Sequence, residues 1–210
     1  MVTVKVSSKG QIVLPKSIRE KLGINPGDEV EVLDFGDEIV IVPVKKNVDL
    51  MGILKFDKPP QGCHEGSEGG GTGTGGQKME RVVLDSYAVL AYLLHERGAE
   101  KIRDMFKEAE NGKLELYMNV VNLGEVYYII ARRKDLNTAD FIVANLKRMP
   151  ILFVPVDERL SLIAGRIKAF HRFSYADAFA VATAIDLNAT LVTGDEEFKA
   201  VEDKVRIEWL

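Results

Sequence analysis

Cysteine is nearly absent from this chain: Cys63 is the only one in 210 residues. A single thiol cannot close an internal disulfide, so the fold must rest on its own core, and a reducing compartment fits. Histidine is scarce as well. Of the three present, His95 and His171 lie in the C-terminal part, among helix-patterned residues and outside any motif. Cys63-His64 supplies too few ligands, at the wrong spacing, for a metal site. No uncharged apolar run is long enough to cross a bilayer. The start, Val2 to Lys9, alternates apolar and polar residues and carries charge too early for a signal peptide. A cytoplasmic protein with no membrane partner is expected. Positive charge is not in excess either. With 28 Lys and Arg against 32 Asp and Glu, the net charge is −4, so any nucleic-acid contact needs a local patch.

What remains is ample for folding. Hydrophobic residues make up 46% of the chain, enough for a packed core. Composition breaks once, between Pro59 and Gln77, where the run from Gly66 to Gly76 is almost wholly Gly, Ser and Thr. Such a run of roughly 11 residues behaves as a coil spanning about 17–20 Å. A fresh apolar strand pattern begins after Met79. The division expected is a small domain over 1–47, a tail over 48–60, a Gly-rich linker over 61–78, engineered or natural, and a larger domain over 79–210. A single protein with a Gly-rich loop is the alternative.

The larger segment alternates strand and helix patterns. Strands are expected at Val82–Leu84, Leu116–Met118, Leu152–Val154, Leu191–Thr193 and Val205–Trp209. Helical periodicity fills the gaps at Ala88–Leu94, Glu100–Ala109, Leu123–Arg133, Ala139–Lys147, Glu158–Ala169 and Tyr175–Asn188. This order predicts an α/β fold with a parallel sheet flanked by helices. Four acids stand at element boundaries. Asp85 and Asp195 follow strands, while Glu125 and Asp177 stand near helix starts. Each has an ordinary explanation. Asn122-x-x-Glu125 and Ser174-x-x-Asp177 match a capping box, and an Asp after a strand suits a turn. Gathered at one sheet rim, however, the four would repel, and a divalent cation is the simplest way to keep them ionised together.

Asp85-Ser86 after the first strand, Asn122-x-x-Glu125, Ala176-Asp177-Ala178 and Thr193-Gly194-Asp195 together resemble a PIN domain spanning Met79 to Leu210. The resemblance implies a Mg²⁺- or Mn²⁺-dependent endoribonuclease acting on single-stranded RNA. It implies that Asp85, Glu125, Asp177 and Asp195 are catalytic metal ligands or position the attacking water, with Ser86, Asn122 and Thr193 orienting them.

The first 48 residues carry seven Lys or Arg and seven Asp or Glu, but the charges are segregated. Lys5, Lys9, Lys16 and Arg19 cluster at one end, and acids crowd Asp28 to Glu38. A solvated edge that discourages strand pairing is one reading. A DNA-contacting face is the other, with those four cations on phosphates and Ser7, Ser8 and Gln11 within reach of base edges. Strand patterns at Val2–Val6 and Ile12–Leu14, a helix after Pro15, a turn at Asn25-Pro26-Gly27-Asp28 and two further strands around Asp34–Asp37 make a core too small for one copy. Ser8-Lys9-Gly10-Gln11-Ile12-Val13-Leu14-Pro15 with Pro26-Gly27-Asp28 resembles the AbrB/SpoVT (MazE-like) swapped-hairpin DNA-binding fold. That resemblance implies an intertwined homodimer.

The tail is too apolar to be idle, and Leu50, Met51, Ile53, Leu54 and Phe56 are expected to dock in a groove of the larger domain. Together the halves resemble a VapBC toxin–antitoxin pair joined in one chain. The resemblance implies an antitoxin that binds operator DNA, autoregulates transcription and restrains the nuclease. Lys55 or Lys58 would approach the acidic pocket. It also implies PIN–PIN dimers, hence a tetramer or larger. The alternatives are a PIN nuclease for RNA processing and a DNA-binding regulator whose PIN module is inactive.

Overall fold

A computed structural model describes residues 3–36, 38–44, 48–55 and 79–210. The chain forms two compact units, Met1–Val48 and Asp49–Leu210.

In the first unit, helix α1 (Lys16–Leu22) starts after Pro15 and ends at Gly23, whose φ of +67° supplies the left-handed turn that closes it. Strands β1 (Glu29–Asp34) and β2 (Ile39–Val44) pair antiparallel, with Glu29 opposite Val44. The two strands expected before α1 do not form: residues 3–14 carry no strand. They keep only the shape of a hairpin, closed by Ser7 N–H donating to Gln11 O at 2.9 Å. The physical reason is the lack of a partner. A strand exists only through a neighbour's backbone groups, and this unit offers none there. Its apolar side is left outside, with Val6 62% and Val13 78% exposed, and α1 buries no residue.

The second unit is the expected α/β sandwich. Five parallel strands lie in the order β5-β4-β3-β6-β7. They are β3 (Glu80–Leu84), β4 (Leu114–Asn119), β5 (Ile151–Val154), β6 (Thr190–Thr193) and β7 (Ile207–Trp209). Helices α2 (Ser86–Leu94), α3 (Ala99–Glu110), α4 (Val120–Arg133), α5 (Leu136–Leu146), α6 (Glu158–Phe170) and α7 (Tyr175–Leu187) connect them, and a 3₁₀ turn covers Glu196–Val201. The inner runs of the central strands are apolar because both faces are covered there, and Val83, Leu84, Leu191 and Val192 are fully buried. On α7, Ala178, Ala180, Ala182 and Ala184 are buried, and these small side chains let the helix lie close to the sheet. The chain starts in the middle at β3, grows outward through β4 and β5, then returns to β6 on the other side of β3. The strand order therefore reverses between β3 and β6, the place where open α/β sheets bind ligands.

Candidate functional site

Asp85 and Asp195 stand just beyond the carboxyl ends of β3 and β6, the two strands that flank this reversal. The strand pair is prolonged by Asp85 N–H donating to Val192 O at 3.4 Å. Thr193, fully buried at the end of β6, ties the two acids together. Its hydroxyl accepts from Asp195 N–H at 3.0 Å and donates to the Asp85 carboxylate. Helices α4 and α7 pack together beside this rim and bring Glu125 and Asp177.

Three of the four carboxylates are steered by backbone donors. Asp85 is the N-cap of α2, with Oδ1 accepting from Ala88 N–H at 2.7 Å. Asp195 caps the 3₁₀ turn, with Oδ1 accepting from Glu197 N–H at 2.9 Å. Asp177 completes a capping box on α7, where Oδ2 accepts from Ser174 N–H at 2.7 Å and Ser174 Oγ accepts from Asp177 N–H at 3.1 Å. The capping reading fails for Glu125. Helix α4 begins at Val120 with Asn119 as its N-cap, so Asn122 and Glu125 lie inside the helix. Glu125 Oε1 instead accepts the Tyr128 hydroxyl at 3.3 Å. Among the described residues no group of three or more His, Cys, Asp or Glu side chains is already arranged to hold a metal ion. Each of the three aspartates is turned toward its own backbone donor.

Electrostatically the acids do form one group. Burial, more than anything else, pushes Asp85 up to about 8, against the hydrogen bonds from Thr193 and Ala88, and the charges of Asp177 and Asp195 add to the rise. Asp177 is raised too, first by burial and then, against its Ser174 hydrogen bonds, by Glu125 and Asp195. A carboxyl that is 1% exposed and faced by other anions is the kind of group a bound cation would stabilise in its ionised form. Each of the three capped aspartates commits one carboxylate oxygen to its cap, and the donor set is all oxygen, which fits Mg²⁺ or Mn²⁺ rather than a soft metal.

Ser86 and Asn122 touch one another and not the carboxylates. Asn122 Nδ2 donates to Ser86 Oγ at 3.2 Å and to Ala176 O at 3.1 Å, and Ser86 Oγ donates to Asn122 O at 3.3 Å. This buried net joins the first turns of α2 and α7 to α4. Asn122 Oδ1 is buried without a partner among the described residues. Tyr87 carries no signal in the sequence that would have singled it out, and Gly194 stands out only as part of Thr193-Gly194-Asp195. A Cβ on Gly194 would lie 2.3 Å from Tyr87 Cε1, so the ring covers the turn that leads to Asp195.

The tail lies against the opposite end of α2. Leu50 and Leu54 are 1% and 3% exposed, Met51 is half-buried and Ile53 is 39% exposed. Gly52 N–H donates to Tyr92 O at 3.1 Å, sharing that carbonyl with His95 N–H, and Leu54 N–H donates at 2.9 Å to Leu93 O, one of the carbonyls at the end of a helix that lacks an intrahelical partner. The Tyr92 hydroxyl reaches Asp49 Oδ1 at 3.5 Å. Lys55 is exposed and follows Leu54 at this far end, so the described segment does not bring it to the acids. Phe56, Lys58 and the linker 61–78 lie outside the described residues.

In the first unit Lys5, Ser7, Ser8, Lys9, Gln11 and Lys16 are exposed. Two of the expected contacts already have local work. Ser7 Oγ holds the turn, accepting from Gln11 N–H at 3.0 Å. Half-buried Arg19 donates from Nε to Leu14 O at 3.2 Å.

A family model described as "PIN domain" matches residues 82–204. Another, described as "Antidote-toxin recognition MazE, bacterial antitoxin", matches residues 3–49. Antitoxin VapB27 of Mycobacterium tuberculosis is 38% identical over 45 residues, which are 21% of this chain and 58% of that protein. The chain thus spans little more than half the length of this curated relative. Among solved structures, VapBC2 from Rickettsia felis bound to a promoter DNA fragment is 18% identical, covering 62% of this chain and 98% of that one, with a TM-score of 0.49. VapC20 of Mycobacterium tuberculosis, described as a sarcin-ricin loop cleaving toxin, is 16% identical, covering 57% and 94%, with a TM-score of 0.48. No helix among the described residues is long and apolar enough to cross a membrane.

Proposed function

Because this chain belongs to the PIN-domain family and carries a MazE-type antitoxin domain ahead of it, we propose that it is a VapBC-type antitoxin joined to its toxin. In this reading the PIN half is an endoribonuclease dependent on Mg²⁺ or Mn²⁺. The observation that carries the reading is the placement of Asp85 and Asp195 on neighbouring strands at the reversal of the sheet, within electrostatic reach of Asp177.

Asp85, Glu125, Asp177 and Asp195 would hold the cation. When bound, it makes hydroxide available near neutral pH and neutralises charge that builds on a phosphate. Thr193 keeps the Asp85 carboxylate oriented through its hydroxyl. Ser86 and Asn122 hold three helix starts in register, so that acids from separate elements keep a common distance. No protein nucleophile is required.

The N-terminal half binds operator DNA as a homodimer. Lys5, Lys9, Lys16 and Arg19 serve the phosphates, and Ser8 and Gln11 the base edges. The exposed Val4, Val6, Ile12 and Val13 are the surface that a second copy would cover. PIN–PIN pairing would extend this to a tetramer. Leu50 and Leu54 anchor the segment that restrains the nuclease.

The caps on three of the four acids favour one further reading, a regulator in which these carboxylates are structural. Titration of the full chain with Mn²⁺, followed by RNA cleavage with Mn²⁺ or EDTA, separates the two. The nuclease reading expects saturable Mn²⁺ binding and cleavage, both lost in Asp85→Asn and Asp177→Ala. Intact RNA and absent Mn²⁺ binding in the wild type, also after removal of residues 1–78, would leave the regulator.

A further inference from the structure

Large aromatic side chains usually lie mostly inside a folded domain. Among the described residues Phe35, Tyr128, Phe170 and Tyr175 do not, and of these the two tyrosines belong to the helices that carry Glu125 and Asp177. Tyr128 on α4 is 47% exposed and Tyr175 on α7 is 49% exposed. Glu125, Tyr128 and Arg132 follow one another at i, i+3 and i+7, which places them along one face of α4. The Tyr128 hydroxyl donates to Glu125 at 3.3 Å, so this ring is anchored directly to one of the four acids. Tyr175 is the first residue of α7, two before Asp177. Its ring meets Phe179 edge-on, with centroids 4.8 Å apart and planes at 65°. That contact fixes the ring without covering it. Arg132 is exposed one turn beyond Tyr128. Since α4 packs against α7, the acids, two uncovered rings and a cation share one region of the domain.

We propose that Tyr128, Tyr175 and Arg132 form the substrate track of the acidic site, stacking unpaired bases of single-stranded RNA on the two rings and taking a phosphate on the guanidinium. This rests on the nuclease reading above and gives it a substrate-binding surface. The chemistry of each part matches that ligand. Every base presents a π-face to an exposed ring, and stacking requires bases freed from a duplex. The exposed cation meets the backbone charge at a distance from the carboxylates, which would repel a phosphate until a cation neutralises them. Both rings are about half exposed, Tyr175 resting on the edge of the core at Phe179, so the Phe variants separate loss of the ring from loss of packing.

The test is binding of a fluorescein-labelled single-stranded RNA to the full chain with Ca²⁺, read by anisotropy. Tyr128→Leu and Tyr175→Leu should each raise Kd about tenfold or more, whereas Tyr128→Phe and Tyr175→Phe, which keep the ring, should stay within about twofold. Arg132→Ala should weaken binding and lower the salt slope by about one. Duplex RNA should bind more weakly than the single strand, and single-stranded DNA of the same sequence reports whether the 2′-hydroxyl matters. Leucine variants that bind like the wild type, or a wild type that binds no single-stranded RNA, would overturn the proposal. So would leucine variants that keep RNA binding but lose self-association in sedimentation, which would make the patch an interface between copies. Cleavage with Mn²⁺ is scored separately. Cleavage unaffected by the leucine variants removes only the track, whereas binding without cleavage removes only the nuclease.

Discussion

Leu50→Ala probes the clasp on α2 most directly. Leu50 is 1% exposed, so truncation removes a full set of packing contacts and leaves a cavity that the surroundings fill only in part. Buried Leu→Ala substitutions lose about 2–5 kcal/mol. If that loss falls on docking of residues 49–54, the ratio of docked to released tail drops about 30- to 4000-fold. Hydrogen exchange reads this residue by residue. The Gly52 and Leu54 amides, bonded to Tyr92 O and Leu93 O, should exchange faster by that factor, while amides of β3 and β6 keep their protection. Ile53→Ala is the control: at 39% exposed it should lose no more than about 1 kcal/mol. Unchanged exchange at Gly52 and Leu54 in Leu50→Ala would refute the reasoning, because the leucine would then not be holding the segment. Equal effects of Leu50→Ala and Ile53→Ala would refute it as well.

Three further outcomes are expected. Gly52→Ala should destabilise the docked tail by about 1–2 kcal/mol in the same exchange experiment, since φ is +67° there and the new Cβ would sit 3.0 Å from His95 Cβ. Gly194→Ala should displace the Tyr87 ring, 2.3 Å from the added Cβ, and lower Mn²⁺ affinity through the shifted Asp195, as titration would show. Stability of the metal-free chain should fall as pH rises. The native state keeps a proton on Asp85 up to about 8, whereas the unfolded chain releases it near 3.8, so the loss runs between those values at up to about 1.4 kcal/mol per pH unit. Urea midpoints at pH 5 and 7.5 check this: the slope should shrink in Asp85→Asn, leaving the part that Asp177 contributes, and flatten with Mn²⁺, and a slope unchanged in Asp85→Asn would assign it elsewhere.

Elements that carry their own pattern were legible in advance. Runs such as Val82-Val83-Leu84 and Leu191-Val192-Thr193 are fully buried strands, and their short, β-branched, punctuated form says so without a structure. The acids that follow them were legible for the same reason, because strand ends define the rim. Where legibility failed, the deciding partner was distant or absent. Val2–Val6 and Ile12–Leu14 alternate like strands, but alternation only says which face wants burial, not that a neighbour is present. The start of α4 was misplaced because Asn119 and Asn122 both make acceptable caps. Val120-Val121 reads as strand, yet Asn119 Oδ1 accepts from Val121 N–H at 2.8 Å and opens the helix there. Nothing local marks Tyr87 over Gly194, which lie 107 positions apart in the chain. The tail's apolar character was plain, whereas its target, the carbonyls Tyr92 O and Leu93 O at the end of α2, is a property of the folded helix.

Helix α2 has Asp85 at one terminus and the clasp at the other, about 12 Å away along its axis. Residues 48–55 therefore grip the domain by its handle and leave the working edge bare. Whatever silencing these eight residues exert has to be leverage on a shared rod, not a stopper in the mouth. By reciprocity, a grip that silences by weakening the cation's hold at the Asp85 end would itself be loosened by the cation to the same degree.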